Sequence, residues 1–99
     1  QTFYDISSKA SGQNWSMTSY CPAPGPVPGA PSNRDYEPGF AVDMMLKDLL
    51  LAKSAALSND VRTDLGARTT EVYEDLSQNG FGQTDFSIIM KHVANSLGR

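Results

Sequence analysis

The chain has 99 residues, enough for one small domain with one modest core. Eleven acidic residues against eight basic ones leave a formal net charge of -3, which argues against a nucleic-acid partner, since those select a basic face. A lone cysteine excludes an internal disulfide, and with one histidine the chain falls short of the three or four ligands zinc wants, so we expect a reducing compartment and no metal.

The chain opens on Gln1, which suggests a fragment of something longer, and no charged segment followed by an apolar run marks a signal peptide. Residues 2–10 space Phe3, Ile6 and Ala10 at a helical period, and Gly12 is a plausible stop. The triplet Asn14-Trp15-Ser16 matches a glycosylation acceptor, which without a secretory signal is best read as chance. Residues 21–38 hold all six prolines, at 22, 24, 26, 28, 31 and 38, which excludes helix and central strand. With Tyr20 and Tyr36 at its ends, this segment reads as a stiff loop wrapped over the surface rather than a flexible linker.

Residues 40–58 carry the strongest helical pattern. Val42, Met45, Leu46, Leu49, Leu50, Ala56 and Leu57 cover one broad face, and Met44 and Leu51 cover part of the other. Such a helix is expected to be central and buried. Its polar positions Asp43, Lys47 and Ser54 fall in a narrow strip. The stretch is broken by Asp43, Lys47, Asp48 and Lys53, so it is no membrane span. A second helix is expected over 61–78 on Val61, Leu65, Val72 and Leu76, ended by Asn79 and Gly80. A third follows Thr84 as its cap, with a stripe of Phe86, Ile89, Met90, Val93 and Leu97 ended by Gly98. The fold class is therefore all-α: a small helical domain over residues 1–99, with a central buried helix and a long proline-rich loop.

Cys21 and His92 are the only candidates for a nucleophile and base, and an inert thiol beside a solvated histidine is the better reading. No glycine-rich loop follows a strand, so this chain by itself has no dinucleotide cradle. Lys47 has two readings. Asp43 stands four residues before it, the favourable acid-before-base helix pair, worth ~0.3 kcal/mol. Alternatively, a lysine on the lone polar strip of an apolar helix faces an anionic ligand such as a carboxylate or phosphate. Trp15 and Tyr20 are either loop anchors or the wall of a wet pocket.

The order of residues then becomes informative. Gly39-Phe40, a short apolar stretch, Lys47-Asp48-Leu49 and Leu51-Ala52 follow an upstream run of Trp15-Ser16, Tyr20, Pro22, Pro24-Gly25, Gly29, Pro31-Ser32 and Tyr36. This string resembles the C-terminal domain of the 3-hydroxyisobutyrate dehydrogenases, within the β-hydroxyacid dehydrogenase family. It looks less like the tartronate semialdehyde or glyoxylate reductases. The resemblance is strong over residues 12–53 and looser over 54–99. It implies an all-α half of the 6-phosphogluconate dehydrogenase C-terminal-like type, paired with an N-terminal Rossmann domain that binds NAD and is absent from this chain. It implies hydride transfer between NAD and a small 3-hydroxy acid in the cleft between the two, with 3-hydroxyisobutyrate giving methylmalonate semialdehyde in valine breakdown.

The resemblance also implies roles. Lys47 matches a lysine that reaches the cofactor and substrate, Asp48 its pocket-organising neighbour, Trp15 and Tyr20 the substrate-walling aromatics, and Phe40 the aromatic beside them, counted with Lys47 on the cofactor side. The family's catalytic lysine, with an asparagine four residues on, lies upstream of this region. Lys91 and Asn95 show that spacing but follow the Lys-Asp-Leu motif and are a decoy. The isolated chain is therefore expected to be inactive, its compartment cytoplasmic or, in a eukaryote, the mitochondrial matrix. A lone domain of this kind bares apolar surface, which favours self-association. The competing readings are a non-catalytic helical module that binds a protein partner through its apolar helix and aromatic loop, and the same domain from a related 3-hydroxy acid dehydrogenase or tartronate semialdehyde reductase.

Overall fold

The computed structural model describes residues 1–96. Its helices are α1 (Thr2–Ser7), α2 (Trp15–Thr18), α3 (Val42–Ser58), α4 (Asp64–Leu76) and α5 (Ile89–Ser96). Tight 3-10 turns occupy Pro31–Arg34 and Phe86–Ile88, and a wider π turn occupies Ser77–Phe81. Among the described residues no strand forms; a single antiparallel bridge links Ala41 and Asp85. The all-α class holds. The expected helix contact at Leu97 and stop at Gly98 lie outside the described residues. Contacts divide the chain into two units, one of residues 1–39 with those from Ser87 onward, the other Phe40–Phe86.

In the first unit the leading helix is shorter than its spacing suggests. It closes at Ser7, and the next N–H groups, of Lys9 and Ala10, reach back only three residues, to Ile6 and Ser7. Consecutive serines at 7 and 8 favour such local alternatives over helix. Asn14 starts α2: its side-chain oxygen accepts the Met17 N–H at 2.9 Å, and its amide donates to the Gly12 carbonyl at 3.0 Å. The glycosylation-like triplet therefore contains a helix cap.

The proline-rich loop ties itself together with side chains. Ser32 Oγ donates to the Cys21 carbonyl at 2.8 Å, and Tyr36 OH to the Pro22 carbonyl at 2.7 Å. Asn33 spans the turn, accepting from Gly25 N–H and donating to the Val27 carbonyl. Cys21, Ala30, Pro31, Ser32 and Tyr36 are all buried. Tyr36 holds φ at +60°, an uncommon backbone for a bulky residue. Its buried ring, its N–H bond to the Pro31 carbonyl and the ammonium of Lys91, 5.2 Å from the ring centroid, hold it there. The stiff-loop expectation is met.

In the second unit α3 packs on α4 and on the π turn. Ala41 gives α3 no side-chain cap. The orphan N–H groups of Val42 and Asp43 instead donate to the carbonyls of Thr84 and Gly82, at 2.8 and 3.0 Å. The cap thus comes from a segment some forty residues away in sequence. Thr84, expected to open the last helix, lies in this turn, and helical backbone resumes at Phe86.

Two expectations about burial are corrected. α3 is not buried in this chain: Val42 is its one buried residue, Met45, Leu46, Leu49 and Ala56 are half-buried, and Leu51 and Leu57 are 62% and 71% exposed. A helix apolar on two sides needs two covers, and α4 supplies one. The α4 stripe is shifted as well. Val61 precedes the helix and Leu65 is 86% exposed, while Thr70, Tyr73 and Leu76 are buried. Thr70 tolerates burial because its hydroxyl donates to the Gly66 carbonyl at 2.8 Å, a bond that an apolar pattern does not reveal. Gly80, at φ +93°, turns the chain after α4 as expected.

Candidate substrate site

Lys47 stands in the second turn of α3, four residues beyond Asp43. The expected Asp43–Lys47 pair does not form. The Asp43 carboxylate instead accepts from Ser77 Oγ at 2.6 Å. The Lys47 ammonium has its neighbour Asp48 at 3.9 Å, with both side chains more than half exposed. So exposed and long a pair contributes little to stability, and Lys47 presents its charge to whatever lies outside. The helix is held by Val42 and by α4, so this charge is carried on a fixed backbone.

Phe40 precedes α3 and is placed by its backbone. Its N–H donates to Asp85 Oδ1 at 3.0 Å, and its carbonyl accepts the Phe86 N–H at 2.7 Å. The half-buried ring meets Phe86 edge-on with centroids 5.6 Å apart. Packing thus accounts for Phe40 as it stands. Phe40, Lys47 and Asp48 all belong to the second unit.

Trp15 and Tyr20 belong to the first unit. The single turn of α2 stacks their rings, with centroids 5.4 Å apart and planes 19° from parallel. Trp15 is 63% exposed, so the pair forms a flat aromatic surface rather than a core contact. An indole that exposed can take an apolar or planar ligand at little rearrangement cost. A separate groove of about 410 Å³ in the first unit is lined by Phe3, Met17, Cys21, Pro22 and Met90 among others, but by neither Trp15 nor Tyr20.

Asp85 went unremarked in the sequence. It is fully buried, carries the Phe40 N–H, and forms the bridge with Ala41 that seats the start of α3. An acid directly before an aromatic helix start, beside Thr84, was the available signal. Near it Tyr73 is buried, with its OH donating to the Phe86 carbonyl at 3.0 Å. Burial, and secondarily the Asp85 charge, push the Tyr73 hydroxyl up to about 12. In the first unit burial raises Tyr36 as well, with the Cys21 thiol adding to it.

A nicotinamide dinucleotide does not fit these residues as a whole. Its pyrophosphate needs a strand, a glycine-rich loop and a helix N-terminus, and no strand forms among the described residues. Lys47 is an exposed cation on α3, and no such cradle forms among the described residues. No group of three metal-ligating side chains occurs among the described residues, and no described helix is long and apolar enough to cross a membrane.

The family model described as NAD-binding of NADP-dependent 3-hydroxyisobutyrate dehydrogenase matches residues 1–93. NAD-dependent L-serine dehydrogenase of Pseudomonas aeruginosa is 38% identical over 87 residues, 88% of this chain and 29% of that protein. The mitochondrial 3-hydroxyisobutyrate dehydrogenase of Drosophila melanogaster is 38% identical over 87 residues, 88% of this chain and 27% of that protein. The solved structure of Mycobacterium tuberculosis 3-hydroxyisobutyrate dehydrogenase with L-serine superposes with a TM-score of 0.87 at 33% identity, covering 92% of this chain and 31% of that one. The chain therefore spans less than a third of the length of these relatives. The family binds NAD or NADP and its members are dehydrogenases. On the family match, the shared fold and the identities together, this chain belongs to the 3-hydroxyisobutyrate dehydrogenase family, as its all-α C-terminal domain.

Proposed function

We propose that this chain is the substrate-side domain of an NAD-dependent dehydrogenase that oxidises 3-hydroxyisobutyrate to methylmalonate semialdehyde, and that it is inactive without a Rossmann domain. The observation that carries the reading is Lys47: a cation on a rigid helix, released from its expected partner and more than half exposed. Its ammonium suits the substrate carboxylate, with Asp48 beside it orienting the charge. Trp15 and Tyr20 offer the apolar wall that a branched, methyl-bearing acid needs. Phe40 lies two residues before α3 and would border the cofactor. When bound, the dinucleotide supplies the hydride acceptor. The residues of this chain bind and orient, and Lys47 adds positive charge where the substrate anion sits.

A second substrate, L-serine, has its own support. One relative is named for it, and one solved relative holds it. Both acids carry a carboxylate and a 3-hydroxyl, so Lys47 serves either. They differ in the group at the middle carbon, methyl or ammonium.

The test is a rate assay on the full-length enzyme that carries this domain, following cofactor reduction with 3-hydroxyisobutyrate, L-serine, glycerate and 3-hydroxypropionate side by side. A clear preference for 3-hydroxyisobutyrate supports the first reading, and a preference for L-serine the second. No activity on any of them favours the protein-binding module. Lys47→Ala should lower kcat/KM at least about tenfold, the scale of a lost charge contact of ~1.4 kcal/mol or more. Its melting temperature should move little, because Lys47 is exposed. If Lys47→Ala melts the protein while leaving activity per folded molecule intact, the site is elsewhere.

A further inference from the structure

The acid at position 43 is held away from Lys47 by three separate features. Ser77 Oγ donates to Asp43 Oδ1 at 2.6 Å, and Gln83 Nε2 approaches Oδ2 at 3.5 Å. The Asp43 N–H donates to the Gly82 carbonyl at 3.0 Å. Position 82 is the third. A Cβ there would lie 2.8 Å from Asp43 Cγ and collide with the carboxylate oxygens. Gly82 has φ -56°, a backbone open to any residue, so glycine is required for clearance and not for the turn. On a bare helix, an acid four residues before a lysine swings onto it. Here it is clasped by the segment that follows α4.

We propose that Asp43 is a positioning residue, and that the Ser77–Asp43–Gly82 clasp keeps a second carboxylate off Lys47, beyond the exposed one of Asp48 at 3.9 Å, so that its charge stays available to the carboxylate of a hydroxy-acid substrate. This rests on the reading of Lys47 given above. The clasp acts through Lys47 and touches no substrate itself. Its loss adds Asp43 to Asp48 as an internal competitor for the substrate anion, which weakens binding without altering the reacting groups.

The experiment is steady-state kinetics on the full-length enzyme with its preferred hydroxy acid at saturating cofactor. Ser77→Ala removes the donor and frees the Asp43 carboxylate. KM is expected to rise about threefold with kcat within a factor of two, and the rise should shrink at high ionic strength, since a freed surface charge is screened within about 10 Å at 0.1 M salt. Adding Asp43→Asn to Ser77→Ala removes the competing charge, and KM is expected to return to within a factor of two of wild type. A purely structural clasp predicts the opposite, a double variant at least as impaired as the single one. Gly82→Ala, which displaces the carboxylate sterically, provides a second route should Ser77→Ala fold poorly, and Gly82→Ala with Asp43→Ala should likewise recover. A double variant that stays impaired, or single variants with unchanged KM, would overturn the proposal. Lys47→Met separates this from the underlying reading. If Lys47→Met raises KM but the double variants show no rescue, only the clasp is wrong. If Lys47→Met leaves KM alone, the assignment of Lys47 falls and the clasp falls with it.

Discussion

The two units of this chain reach order by different means. Phe40–Phe86 is built of long helices, with α3 against α4, and its buried residues are Val42, Thr70, Tyr73, Leu76 and Asp85. The other unit has short helices and a long loop, and it is tied by side chains reaching main-chain carbonyls: Ser32 to Cys21, Tyr36 to Pro22, Asn33 to Val27 and Arg34 to Gly29. In the helical unit the helices satisfy most of the backbone, and the buried Asp85 and Tyr73 bond the main chain at Phe40 and Phe86. In the loop unit side chains must do the backbone's hydrogen bonding, because prolines have no N–H to give. Order that rests on single bonds should be lost locally, and order that rests on a shared buried acid should be lost as a whole.

Four substitutions or conditions sharpen that contrast. The largest effect is expected at Asp85. Asp85→Ala orphans the Phe40 N–H and removes the seat of α3, at a cost of roughly 3 kcal/mol or more, read as a shift in the urea midpoint. Asp85→Asn keeps one acceptor oxygen and should cost less; equal costs would show that charge, not the bond to Phe40, is what matters there. Next comes alkaline pH. Tyr73 is raised from 10 to about 12, so the folded chain resists losing a proton that the unfolded chain gives up more readily. Stability from this group is complete below pH 10 and drains away as pH climbs to about 12, by about 2–3 kcal/mol in total. Tyr73→Phe should flatten that portion of the stability–pH curve, and an unchanged curve would assign the loss to other groups.

In the loop unit the effects should be smaller and confined. Tyr36→Phe deletes the bond to Pro22 for ~1 kcal/mol, and amide exchange should quicken across 21–38 while α3 and α4 stay protected. If α4 loosens too, the units are not separate in stability. Smallest of all should be Leu65→Ser. At 86% exposure Leu65 contributes little to this chain by itself, and a shift within about 0.5 kcal/mol is expected. A larger loss would mean that Leu65 is covered in solution, as self-association would do.

How much of this was legible beforehand follows the same divide. The extents of α3 and α4 came from apolar spacing because helices write their buried face into the chain every three to four residues. The stop at Gly80 came from backbone freedom. Burial was misread where it depends on neighbours. α3 looks central because it is apolar nearly all round, yet pattern cannot say how many sides are covered in a given chain. Thr70 and Tyr73 were passed over because their polar atoms are satisfied at Gly66 and Phe86, which is knowable only from geometry. α2 was too short to show a period, although Asn14 offered a cap. The candidate site comes from residue order and not chemistry: by helix pattern alone Lys47 reads better as a solvated ion pair with Asp43. Only the structure shows Asp43 turned to Ser77. Asp85 was missed because a buried acid and a surface acid are the same letter.

The left-handed turn at the end of the proline-rich loop also bears on how the chain meets a protease. Asp35 and Tyr36 hold φ at +56° and +60°, directly after Arg34 in its 3-10 turn, with the guanidinium fastened to the Gly29 carbonyl. A serine protease must draw several residues on either side of its target into extended backbone. Around Arg34 that means undoing the turn, the Tyr36 anchor and its bond to Pro22 together. Arg62 lies in the open connection between α3 and α4, held by one exposed pair with Asp64. Limited trypsin treatment should therefore open the chain after Arg62 well before Arg34, although both arginines face solvent.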